Sequence, residues 1–225
     1  MPPVEESTRR GPTDPPTRPN RRARRRQETI EEILDIAEAV MTEVGVNGLS
    51  LAEVARRLGV QPPSLYKYFP SLMAVYDALF RRGQLANLAV MRAAMEDAEP
   101  GLPAVVASLD ASCTWALAHR ALAQLMFWRP VPSFEPSADA FAPSIEMVAI
   151  QRAALADAVE LGQLGPGAAT EEGVYAVSII TSGTLTQAMA NEPELPWRKG
   201  RFSPLFPKLM AVLPALYPPR KQRAG

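Results

Sequence analysis

Gln61, Pro62, Pro63, Ser64, Tyr66, Lys67 and Tyr68 crowd one short stretch just after Gly59-Val60. Hydroxyl and amine side chains packed this densely on a short helical segment suit contact with DNA. A helix in the major groove reads base edges from its N-terminal half and holds phosphates with hydroxyls and amines. Tyr66, Lys67 and Tyr68 suit phosphate contact, and Gln61 and Ser64 can reach base edges. The rings of Pro62 and Pro63 can pack on thymine methyl groups. Ser50, at the start of the preceding segment, offers a further hydroxyl. Core packing is the alternative use of a tyrosine, foremost for one side of Tyr68.

A second group is basic. Arg21, Arg22, Arg24, Arg25 and Arg26 follow Arg9, Arg10 and Arg18, and only Asp14 opposes them in that stretch. Basic arms of this kind add phosphate contacts or enter a minor groove, and they also occur as solvated tails. The asymmetry is local, because the chain carries 24 basic and 24 acidic residues and a net charge of zero. No whole-protein field therefore draws it to nucleic acid.

Catalytic chemistry is poorly provided for. His119 is the single histidine and sits beside Arg120, where a helix-end cap explains it. No Ser-His-Asp set, metal cluster, phosphate loop or pair of carboxylates can be assembled, so neither enzyme activity, metal nor cofactor is expected. Cys113 is the only cysteine, which excludes an intrachain disulfide and a cysteine-based metal site and fits a reducing cytoplasm. The N-terminus lacks the apolar region of a secretory signal. The longest largely apolar stretch, 173–190, is interrupted by Ser178, Thr181, Ser182, Thr184, Thr186 and Gln187, too polar to cross a bilayer. With 47% hydrophobic and 21% charged residues, the composition is that of a globular, soluble chain.

These groups need elements to position them. Residues 1–20 hold six prolines and scarcely a bulky apolar side chain, so they read as a disordered tail. From Gln27, the residues Ile30, Ile33, Leu34, Ala37, Val40, Met41 and Val44 recur at helical spacing and predict a first helix, stopped by Gly45, Asn47 and Gly48. Ser50 with Glu53 forms a capping box for a second helix ending at Leu58-Gly59. Pro62 and Pro63 suit the first turn of a third, which Phe69-Pro70 closes. Ala55, Gly59 and the set Val54, Leu58, Val60 and Leu65 supply what a tight helix crossing needs: a small residue, a reversal and an apolar seal. Ser71 caps a long fourth helix to about Asp97, and further helices are expected near 102–119, 120–128, 138–163, 169–190 and 204–217. No strand pattern or repeat appears.

The run Leu51-Ala52-Glu53-Val54-Ala55-Arg56-Arg57-Leu58-Gly59-Val60, followed by Ser64-Leu65-Tyr66-Lys67-Tyr68-Phe69-Pro70-Ser71, resembles the helix-turn-helix and fourth-helix start of the TetR family of repressors over roughly residues 27–83. The resemblance implies an all-α protein with a three-helix DNA-binding domain at 21–70, a connecting helix over 71–97 and a ligand-binding and dimerisation domain over 98–225. It implies a homodimer, double-stranded operator DNA of two-fold symmetry, and repression relieved by a small molecule. The family usually has a phosphate-contacting lysine just after Pro-Ser, whereas Leu72 stands there in this chain. Trp115, His119-Arg120 and Leu125-Met126-Phe127 resemble one C-terminal domain type among these regulators.

The C-terminal half carries many large apolar side chains, including Met91, Met95, Trp115, Met126, Phe127, Trp128, Phe141 and Ile145. Singly each fits a core; together they suit a pocket for a small hydrophobic effector. The helix over 171–191 is apolar nearly all round, which predicts burial on more than one side, and with the closing helix it could form a four-helix bundle across a two-fold axis. Rival readings are a carrier or enzyme that uses the pocket directly, and a helical adaptor whose hairpin binds protein.

Overall fold

The computed structural model describes residues 21–219, and they form helices and turns with no strand among them. The tail expected at 1–20 lies outside the described residues. Helix α1 (Arg21–Val44) buries the stripe Ile33, Leu34, Ala37, Val40 and Met41. It begins at Arg21 rather than Gln27, because arginine is a good helix former and no proline follows Pro19 in that stretch. Gly45, with φ 83°, turns the chain into a 3-10 turn over Val46–Gly48. Helix α2 (Leu51–Leu58) starts on Ser50, whose Oγ accepts the Glu53 N–H at 3.2 Å, and stops at Gly59 in the left-handed conformation with φ 73°.

The third segment differs from the helix expected of it. Pro62–Ser64 is a 3-10 turn, and Leu65–Tyr68 continues as hydrogen-bonded turns. The N–H groups of Ser64, Leu65 and Tyr68 bond three residues back, and that of Phe69 four residues back to Leu65. Two prolines without N–H groups at one end and Pro70 at the other leave too short a run for a regular α-helix.

Helix α3 (Leu72–Glu96) is capped by Ser71 Oγ, which accepts the Ala74 N–H at 3.2 Å. It packs on α1, α4 (Leu102–Ala118), α5 (Arg120–Trp128) and α6 (Ala138–Glu160), and so touches both halves of the chain. Gly83 lets α3 approach α5 closely: a Cβ there would lie 2.5 Å from Met126 Sδ. A 3-10 turn over Pro166–Ala169 precedes α7 (Glu171–Asn191). One buried apolar cluster runs from Ile33 to Leu213.

One further expectation is corrected. The closing helix is broken into a 3-10 turn (Ser203–Leu205), α8 (Phe206–Met210) and α9 (Leu213–Leu216), because Pro207 and Pro214 each open a new helix rather than continue one. Within the single chain, helix α7 buries one side. Val174, Val177, Leu185 and Ala188 face the core, whereas Tyr175 and Ile179 are 60% and 70% exposed in the single chain. No described helix is long and apolar enough to cross a membrane.

Candidate nucleic-acid interface and ligand cavity

The polar segment after α2 is fastened from below and open above. Leu65 and Phe69 are buried in the core, while Gln61, Pro63, Tyr66 and Lys67 are exposed and Pro62, Ser64 and Tyr68 half-buried. Tyr68 lies between two cations, with the Arg26 guanidinium 5.2 Å and the Lys67 ammonium 5.0 Å from its ring centre. Arg26 Nη1 also donates to the Lys67 carbonyl at 3.0 Å. The end of the arginine run is thus a strut between α1 and the turn. Arg24 pairs with Glu28 at 3.3 Å, and Arg25 is exposed on the same helix. Ser50 is half-buried, with its hydroxyl oxygen engaged in the α2 cap.

Charge pairs hold α2 and α3 against α1. Arg57 bridges Glu43 at 2.6 Å and Glu53 at 2.7 Å, and Arg56 meets Glu53 at 2.7 Å. The hydrogen bonds from Arg56 and Arg57 hold the Glu53 carboxyl down at about 2, and Arg57 likewise lowers Glu43. On α3, the Tyr76 hydroxyl donates to the Val46 carbonyl at 2.6 Å in the core. Arg82 reaches Glu31 and Asp35, each at 2.6 Å. Burial opposes the Arg82 charge, but these two carboxylates outweigh it and hold the guanidinium more firmly protonated than usual. His119 Nδ1 lies 3.5 Å from Glu38 and its ring stacks on Trp115. The sequence reading missed Glu43 and Arg82 as braces, since their partners are remote in the chain. The Glu53, Arg56, Arg57 spacing was the one visible sign.

A cavity of about 530 Å³ lies among α3, α4, α5, α6 and α7. Met91, Met126, Phe127, Trp128 and Phe141, all expected in a pocket, line it. Met95, Trp115 and Ile145 do not: Met95 packs on the core, Trp115 is buried against His119, and Ile145 is 63% exposed. The lining also includes Gln84, Asn87, Cys113, Ser144 and Gln151, none of them expected in a pocket from sequence. Gln84 and Asn87 follow Phe80 at helical spacing and lead to Met91, so they are polar residues on an otherwise apolar stripe of α3. That interruption was the legible clue. Burial pushes the Cys113 thiol well above its ordinary range.

An exposed surface of hydroxyls and amines on a rigid turn can bind a phosphate backbone and reach base edges. A mostly apolar cavity against the connecting helix can hold a small molecule. Comparison with known proteins finds a match over the segment that carries the first of these. Residues 33–79 match the family described as "Bacterial regulatory proteins, tetR family". The chain is 40% identical over 55 residues to the "Uncharacterized HTH-type transcriptional regulator YobS" of Bacillus subtilis, a match covering 24% of this chain and 29% of that protein. The match thus spans under a third of that relative's length. Among solved structures, a protein of unknown function from Rhodococcus sp. RHA1 superposes with a TM-score of 0.71 at 24% identity, over 84% of this chain and 94% of that one. The Bacillus subtilis regulator FadR, solved with stearoyl-CoA, has a TM-score of 0.64 at 14% identity, over 81% and 96%. Both likenesses extend the shared fold through the C-terminal half.

Proposed function

We propose that this chain belongs to the TetR family of bacterial regulatory proteins and is a ligand-responsive repressor which leaves a two-fold symmetric operator when a small effector fills the cavity. Residues 21–70 meet double-stranded DNA, 71–97 connect, and 98–225 hold the effector and pair two copies in the cytoplasm. The observation that carries the reading is the double engagement of α3. From its first half Tyr76 and Arg82 grip Val46, Glu31 and Asp35 of the DNA-binding end; directly beyond them Gln84, Asn87 and Met91 line the cavity.

A molecule that favours a different tilt of α3 therefore shifts both recognition turns. The two turns must lie about 34 to 36 Å apart to enter successive major grooves. The effector relieves repression only if it binds the DNA-incompetent arrangement more tightly, because equal affinity for both shifts nothing. Pairing through the last helices is supported by the apolar surface that α7 and α8–α9 leave open: Tyr175, Ile179, Leu209, Val212 and Leu216. A largely apolar effector is supported by the lining, and by the stearoyl-CoA bound to the similarly folded FadR.

The test is capture of sheared source-genome DNA by purified protein at about 0.15 M salt, with Tyr66→Ala/Lys67→Ala as control. Enrichment of a palindromic site by the parent protein alone is the expected result. Sequence-blind recovery, or none, would leave the turn as scaffold and overturn the reading.

A further inference from the structure

If the cavity is the effector site, its polar atoms define what the effector must carry. Gln84 Oε1, Asn87 Oδ1, Ser144 Oγ and Gln151 Oε1 are the buried side-chain polar atoms with no protein hydrogen-bond partner among the described residues, and all four belong to residues lining this one cavity. Gln84, Asn87 and Gln151 are only 4%, 2% and 6% exposed. Buried acceptors are normally paired, so a cluster of unpaired ones in one place points to a shared use.

The orientation of one amide is fixed from behind. Gln151 Nε2 donates to Ser108 Oγ at 2.7 Å, and Ser108 Oγ in turn donates to the Val105 carbonyl at 2.9 Å. Gln151 therefore offers its carbonyl oxygen. Gln84 and Asn87 lie one turn apart on α3, so their amides share a face of that helix. No Asp, Glu, Lys, Arg or His among the described residues lines the cavity. A carboxylate or ammonium drawn inside would lose its hydration and gain no opposite charge.

We infer that the effector is an uncharged molecule with an apolar body and at least one N–H or O–H group, donated to the carbonyl oxygen of Gln151, while the amides of Gln84 and Asn87, whose oxygens have no protein partner, exchange further hydrogen bonds with it. The Ser144 hydroxyl can give or accept a further bond. This inference rests on the ligand-responsive reading and deepens it, because the amides that meet the effector stand on both α3 and α6. A donor shared between them bears directly on the helix that grips the DNA-binding end.

The test uses the full-length protein without DNA, with binding followed by calorimetry. Three probes of matched shape are compared: naphthalene-2-carboxamide, which has N–H donors; methyl 2-naphthoate, which has none; and the 2-naphthoate anion. The carboxamide is expected to bind at least about tenfold more tightly than either of the others. In Asn87→Leu/Gln151→Met that preference is expected to fall to about twofold or less. Equal or tighter binding of the ester or the anion overturns the inference. So does a preference unchanged in the variant, or no binding of any probe at millimolar concentration. The melting temperature of the ligand-free variant gives a second check. For the single variant Asn87→Leu it is expected to equal or exceed that of the parent, since an apolar side chain replaces an amide whose oxygen is unpaired, and a marked fall would show that this amide holds the fold and would overturn the inference. If the preference is found but no operator is captured, the regulator reading fails and the cavity assignment stands.

Discussion

The Asp77 carboxylate accepts both the backbone N–H and the hydroxyl of Ser137, at 2.7 and 2.8 Å. Ser137 is the N-cap of α6, so the helix that brings Ser144 and Gln151 to the cavity begins on a side chain of α3. The residue next to Asp77 is Tyr76, whose hydroxyl holds the Val46 carbonyl. One turn of α3 thus joins the cavity wall to the N-terminal helices.

Asp77→Ala removes both acceptors from that cap. It is expected to lower stability by about 1–2 kcal/mol, read from urea unfolding. In operator-binding assays it is expected to raise the effector concentration needed for release. A variant that unfolds like the parent and responds at the same concentration would show that the cap does not couple the two ends.

Tyr66→Ala and Lys67→Ala remove exposed side chains that the core does not use. Their stability is expected to stay within about 0.5 kcal/mol of the parent. DNA affinity should fall for every sequence tested, and loss of Lys67 should reduce the slope of log affinity against log salt by about 1. An unchanged slope would place Lys67 off the phosphate backbone.

Arg26→Ala breaks the hydrogen bond to the Lys67 carbonyl and uncovers the Tyr68 ring. It is expected to weaken operator binding more than Arg24→Ala or Arg25→Ala, because it loosens the turn as well as removing a charge. Equal losses from all three substitutions, measured at one salt concentration, would reduce Arg26 to a simple counter-charge.

Glu53 titrates at about 2 in the folded chain against an ordinary 4.5, held down by Arg56 and Arg57. A carboxyl lowered by folding adds stability that is fully present above its unfolded value and is lost as pH falls through the folded one. Unfolding midpoints are therefore expected to drop between about pH 4.5 and about pH 2. Glu53→Gln should flatten that part of the profile. A parallel curve for the variant would mean that other carboxylates, Glu43 first, carry the effect.

Much of the N-terminal end was legible in the sequence because its signs are local. Ser50 and Ser71 cap the helices they were expected to cap, and Gly59 turns the chain where a left-handed residue was needed. The third segment was read as too regular, since nothing short of its hydrogen bonds reveals that two prolines at its start and one after it leave room only for turns. The cavity was half legible. Met91, Met126, Phe127, Trp128 and Phe141 announce an apolar lining, but Trp115 has the same chemistry and lies against His119. Composition cannot separate wall from core, because that depends on which helices face each other across the space. The unpaired amides were invisible for the same reason: Gln151 becomes informative only when Ser108, far away in sequence, is found behind it.

The apolar cluster does not stop where the helix-turn-helix ends. Val75, Tyr76, Leu79 and Phe80 of α3 belong to the same buried body as Ile33, Val40 and Leu65, and the Val46 carbonyl is satisfied from α3. A fragment cut at Pro70 would strip that carbonyl of its donor and open the underside of α1 to water. The N-terminal helical head is therefore not a detachable module at its apparent boundary. Chimeras that transplant it have to carry the first half of α3 as well, including Arg82 and the acidic residues it grips, or they will graft a surface without its floor.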